Sequence, residues 1–187
     1  VQHTAVFPFG GLHFTKDLAV GLRVSMQEAA EIKHRYGCVA SFLMDDNERA
    51  EMIEITPVGR SETRGLSKEI LCDIMQPRAI ELLQHLAGEV AAAGAQIPSG
   101  VVLTGGGSMP RGMVEIAEQV FDAPTRLGLP SRRIFGGLVE QIESPEWAVA
   151  CGLALRSFRE QMREGGGNRG GTGKLGAWFE NFREKFR

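Results

Sequence analysis

The segment VVLTGGGSMPRG brings three consecutive glycines, Gly105, Gly106 and Gly107, one residue after an apolar run at 101–103. Glycines in such a place permit positive φ and let backbone approach a flat or charged ligand closely. The C-terminal edge of a strand is also where α/β proteins bind ligands. A structural strand-to-helix turn needs the same residues, so the segment by itself leaves both readings open. Two phosphate-binding patterns are not met. In GGGSMP, Pro110 stands where GxGxxG needs its last glycine, and in GGTGKL a P-loop would need glycine at Asn168 and Ser or Thr at Leu175. Ser108 has no evident His and Asp partners for nucleophilic catalysis. His3, His13, His34 and His85 have no mutual spacing that suits a metal or a catalytic base. The cysteines, Cys38, Cys72 and Cys151, are far apart with no CxxC pair, which points away from a zinc site or disulfide framework and fits a reducing cytosol.

The C-terminal segment KLGAWFENFREKFR has a different chemistry. Leu175, Trp178, Phe179, Phe182 and Phe186 fall on one helical stripe. The other face carries Lys174, Arg183, Lys185 and Arg187 against Glu180 and Glu184. Aromatic anchors beside a basic polar face are the composition of a helix lying in a membrane interface. Burying the stripe contributes several kcal/mol by area, and each unpaired cation adds roughly 1 kcal/mol near anionic lipid. A helix docked on the domain's own core is the alternative, but the glycine-rich stretch before it, EGGGNRGGTG, reads as a flexible tether that docking does not need.

The elements that would position these residues read as follows. Residues 1–8 are extended and apolar. A helix is expected over 15–22, with Thr15 as N-cap and Asp17 in its first turn. Ser25 caps a second helix to about Tyr36, with Glu28 completing a capping box and Gly37 as the stop. Residues 38–44 and 51–55 read as a small antiparallel sheet with Asp45-Asp46-Asn47 as a turn. Residues 67–90 are helical, with an apolar face at Ile70, Ile74, Ile80, Leu83 and Leu86, and Pro77 is expected to break or restart the helix. After 94–100 the order becomes strand (101–103, of the buried parallel kind), glycine turn, helix (112–121) and strand (125–127). A last core helix over 146–162 is capped by Ser144 with Pro145 at its first position. This order is α/β.

Hydrophobic residues make up 43% and charged residues 24% of the chain, as in globular proteins, and the net charge of −2 shows no basic surplus for nucleic acid. No apolar run approaches the roughly 20 residues that span a bilayer. The chain lacks an initiator Met and opens within an expected strand, so it is expected to be a piece of a longer protein.

Taken in order, several segments resemble the FtsA family of the actin-like ATPase superfamily. The glycine segment resembles the superfamily's adenosine loop. HTAVFPFGGLHFTKDLAVGL resembles the stretch after the second phosphate loop, and EIKHRYGCVA the nucleotide-edge helix, with Ala30 where the family usually has Glu. ILCDIMQPRAIELL resembles a segment with a Pro-Arg pair before an amphipathic helix, and VFDAPTRLGLP and SPEWAVACGLAL resemble the closing strand and helix. The resemblance implies an α/β, actin-like (ribonuclease-H-like) half with an inserted small subdomain and a C-terminal amphipathic helix. Residues 1–24 and 95–163 would form the nucleotide-binding subdomain and 25–94 the inserted one. Residues 164–173 would be the linker and 174–187 the membrane-targeting helix. It implies ATP (as Mg-ATP) in the intact protein, with Lys33, Gly105, Gly106 and Gly107 toward the nucleotide. It also implies at most slow turnover and phosphate loops lying before Val1. Arg78, and more weakly Arg64 and Lys68, would meet the acidic C-terminal tail of FtsZ. Further implied partners are other copies of the protein in filaments, anionic membrane lipids at the cytoplasmic face of the inner membrane at the division site, and later division proteins. Rival readings within the superfamily are a PilM-like pilus-assembly protein or an MreB-like shape filament, which would lack the tethered C-terminal helix. A sugar or acetate kinase would need paired carboxylates in a cleft motif that the sequence does not display.

Overall fold

A computed structural model describes residues 1–131 and 142–165, with 164 and 165 as backbone only. The chain divides into two units, Val1–Ala148 and Val149–Arg187. The linker and tail expected after residue 165, with all the proposed membrane-binding side chains, lie outside the described residues.

The first unit opens with residues 1–8 in no regular structure. They were expected as a strand, but no described strand pairs with them, and Val6 stays 92% exposed. Helix α1 spans Gly11–Leu22, one turn earlier than expected, because Gly10 donates its N–H to the His13 ring (Nδ1, 3.3 Å) and starts the helix there. Thr15 is therefore interior and buried rather than a cap. Phe14, Leu18 and Leu22 recur every four residues and bury one stripe of α1. Helix α2 spans Met26–Tyr36, and Ser25 Oγ accepts the Glu28 N–H at 3.1 Å. The return half of the expected capping box is replaced: the Glu28 carboxylate accepts the Thr56 N–H at 2.6 Å.

The sheet expected from 38–44 and 51–55 is organised differently. Cys38 bridges in parallel to Arg111, and Ser41–Leu43 is a 3-10 turn. Asp45 caps a short helix α3 (Asp46–Ala50) in a reciprocal capping box with Glu48. The Asp-Asp-Asn cluster suits a turn and an N-cap equally, and Glu48 decides for the helix. Strand β1 (Met52–Ile55) pairs antiparallel with β2 (Arg64–Ser67), Met52 opposite Ser67 and Ile55 opposite Arg64.

Helix α4 spans Lys68–Ala92 without a break at Pro77. A proline inside a helix costs about 3 kcal/mol. Here Leu71, Cys72 and Met75 before it, and Ala79 and Leu83 after it, are all buried. Each large apolar side chain among them contributes about 1.5–3 kcal/mol, which outweighs the proline. The buried stripe is therefore rotated from the expected one, and Ile70 is 43% exposed. Helix α4 packs on α1 and on α5, and the shared core includes Phe14, Leu18, Leu71, Met75, Leu83 and Ile116. Cys38, Cys72 and Met44 form a small buried cluster beside it. Both thiols are free, and the proximity of the two holds the Cys38 pKa below its ordinary value and, with burial, that of Cys72 above it.

Strand β3 (Val101–Leu103), a 3-10 turn at Gly106–Ser108, helix α5 (Met113–Phe121) and β4 (Thr125–Leu127) follow in the expected order. β3 and β4 are parallel, Val101 opposite Thr125 and Leu103 opposite Leu127, joined by α5 as the crossover. Val102 is 50% exposed rather than buried, because the described sheet has two strands and its Val102 face is uncovered. Pro145–Trp147 is a 3-10 turn, and Ser144 makes no side-chain cap there. Helix α6 (Ala148–Gly165) follows that turn and runs from the end of the first unit into the second, close to the helix expected over 146–162.

Candidate functional site

The glycine turn is held by hydrogen bonds of its backbone and of its flanking hydroxyls. Gly105 has φ +86 and donates its N–H to Pro145 O at 2.9 Å. Thr104 Oγ1 donates to Gly128 O at 3.0 Å, and the buried Ser108 hydroxyl donates back to Gly105 O at 2.8 Å. Gly107 lies against Gly11 at the start of α1, where a Cβ added to Gly11 would stand 3.4 Å from Gly107 Cα. Glycine on both sides permits this approach. An apolar cavity of about 280 Å³ adjoins the turn, lined among others by Phe7, Phe9, Phe14, Leu103 and Gly107.

Lys33 reaches the same end of α1 from α2. Its Nζ donates to Thr15 Oγ1 at 2.9 Å and to Gly11 O at 3.3 Å. Burial lowers its pKa below the ordinary 10.5. Among the described residues no carboxylate pairs with it. Contacts thus run from Gly107 through Gly11 to a part-buried ammonium, and two of its three N–H groups are used by the oxygens named. The four residues expected toward a nucleotide come from α2 and the β3–α5 turn, and the start of α1 joins them.

Arg78 lies on α4 facing α1. Its Nε donates to Asp17 Oδ2 at 2.6 Å and its Nη2 to Asp17 Oδ1 at 3.0 Å, a side-on fork. Nη1 pairs with Glu81, three residues on. The bond to Asp17 raises the Arg78 pKa. The guanidinium side chain remains 28% exposed. Glu81 also lines a groove of about 440 Å³ with Ser41, Asp73, Gln76, Pro77 and Ile80. The other two cations lie apart from it. Arg64 Nη2 donates to Leu22 O at 3.3 Å, satisfying the end of α1. Lys68 pairs with Glu51 at 3.1 Å and stands about 15 Å from Arg78 along α4.

Sequence reasoning missed two participants. Thr15 and Asp17 were assigned to the start of a helix, whereas Thr15 holds Lys33 and Asp17 holds Arg78. Sixty-one residues separate Asp17 from Arg78, so no local signal marks the pair. The Arg78–Glu81 pair was legible at its i,i+3 spacing.

Comparison with known proteins finds relatives along most of the chain. The Neisseria meningitidis cell division protein FtsA is 37% identical over 97% of this chain and 46% of its own length. The Pseudomonas aeruginosa FtsA is 37% identical over 86% of the chain and 38% of its own length. The Escherichia coli FtsA is 27% identical over 100% of the chain and 46% of its own length. The chain therefore spans less than half of these curated relatives. The crystal structure of MreB5 of Spiroplasma citri bound to ADP superposes with TM-score 0.57 at 17% identity, over 82% of this chain and 45% of that one. This likeness gives the mixed α/β core an actin-like fold. Residues 1–152, which carry the glycine turn, Lys33 and Arg78, match the family described as Cell division protein FtsA, and it is to this family that the chain belongs.

Proposed function

We propose that the chain is the C-terminal half of an FtsA-type adaptor that joins FtsZ filaments to the cytoplasmic face of the inner membrane at the division site. Residues 1–24 and 95–163 act as the ribonuclease-H-like part, with Lys33 and Gly105–Gly107 at the edge of an ATP (Mg-ATP) site completed by the rest of the protein. Residues 25–94 act as the inserted subdomain that receives the FtsZ C-terminal tail at Arg78, with Arg64 and Lys68 in lesser roles. Residues 164–173 tether an amphipathic helix, 174–187, whose Leu175, Trp178, Phe179, Phe182 and Phe186 enter anionic lipid with Lys185 at the headgroups. The intact protein self-associates into filaments and recruits later division proteins.

The observation that carries this reading is the side-on fork between Arg78 and a carboxylate, made by a guanidinium still open to solvent. Binding an acidic tail needs the same chemistry. Charge reversal tests it. In fluorescence anisotropy with a labelled FtsZ C-terminal tail peptide, Arg78→Glu should weaken binding at least about tenfold with circular dichroism unchanged. Equal affinity in a natively folded Arg78→Glu chain removes Arg78 from the site.

A further inference from the structure

Resting on that reading of Arg78, we infer that Asp17 is an internal competitor that occupies the place of the partner's carboxylate. The guanidinium has five N–H donors. Asp17 takes Nε and Nη2 in the side-on fork, and Glu81 takes Nη1. One positive charge therefore faces two negative ones, and Asp73 adds a third carboxylate to the adjoining groove. An acidic peptide approaching Arg78 meets a cluster of net negative charge, and it gains the side-on fork only by displacing Asp17.

The geometry favours such an exchange. Asp17 lies on α1, a different element from Arg78, and its side chain is 26% exposed, so a displaced carboxylate reaches water. Arg78 is the hydrogen-bond partner of the Asp17 carboxylate among the described residues. Releasing it breaks that fork without leaving a buried unpaired charge. The incoming carboxylate remakes the same two bonds, so wild-type Arg78 contributes to binding but less than a guanidinium free of Asp17 would. Asp17 thus sets the threshold for the partner by occupying its site.

Asp17→Asn in the 187-residue chain keeps the side chain's shape and removes its charge. The FtsZ tail peptide should bind this variant about three- to tenfold tighter than wild type at low salt, the size of one nearby charge in a partly solvated site. The gain should shrink as salt is raised, and it should vanish in Asp17→Asn/Arg78→Ala. Asp17→Ala should reproduce the gain, which guards against a fold defect peculiar to the amide. Equal or weaker binding by folded Asp17→Asn, with Arg78→Glu still impaired, makes Asp17 a positioning residue and overturns competition while leaving the Arg78 site standing. Indifference of the peptide to Arg78→Glu overturns both.

Discussion

Lys33 has the most sharply defined chemistry at the scale of single residues. Its ammonium is partly desolvated and bonded to neutral oxygens of Thr15 and Gly11. A lysine whose folded pKa lies below its unfolded value holds its proton less tightly when folded. The unfolded chain then binds more protons between the two values, so stability rises as pH climbs through the lowered pKa toward 10.5. Lys33→Met removes that slope and leaves the buried Thr15 hydroxyl without its donor, at a cost of about 1 kcal/mol. Urea unfolding of both chains from about pH 8 to about pH 10.5 should show the wild-type advantage growing with pH. A constant difference would place the Lys33 pKa at its ordinary value. Lys33 was a candidate only through the resemblance of EIKHRYGCVA to a nucleotide-edge helix, a helix that Ser25 starts and Gly37 ends. It did not reveal Thr15 or Asp17 as partners, because both act across elements while their local pattern also fits a helix start.

Among the elements, positions where backbone alone decides were the most legible, and those decided by packing the least. The strand–turn–helix–strand order over 101–127 follows from apolar runs and glycines. Pro77 misled because a local penalty was weighed without the side chains that α4 buries on both sides of it. The Asp45–Asn47 signal was ambiguous until Glu48 closed its capping box. Gly105 and Gly112 separate two reasons for a backbone that needs glycine. Both have positive φ, but a Cβ at Gly105 meets open space, whereas one at Gly112 would stand 2.3 Å from the Ala40 Cβ. Gly105→Ala should cost about 1–3 kcal/mol, because φ +86 with ψ 165 is backbone that essentially only glycine adopts. Gly112→Ala should cost about 2–4 kcal/mol, since overpacking of the buried 38–40 segment adds to it. Denaturant midpoints of the two variants measure the difference, and equal losses would mean that the 38–40 segment yields freely.

For the whole molecule, family membership rests on residues 1–152, and adaptor function is the proposal built on it. The two ends of that proposal are chemically separate: a guanidinium for an acidic tail, and an aromatic stripe for lipid. In water a fourteen-residue helix is marginal, because nucleation costs more than a few turns return. Under this proposal, burial of the stripe and closure of backbone hydrogen bonds at a bilayer surface would make folding and binding one event. Co-sedimentation of a labelled FtsZ tail peptide with anionic phosphatidylglycerol vesicles, with and without the chain, tests both ends together. The peptide should pellet only when the chain is present. Trp178→Glu should leave chain and peptide in the supernatant, and Arg78→Glu should leave the chain on the vesicles with the peptide free. A Trp178→Glu chain that pellets as completely as wild type, or a peptide that pellets with Arg78→Glu, would contradict the bridge.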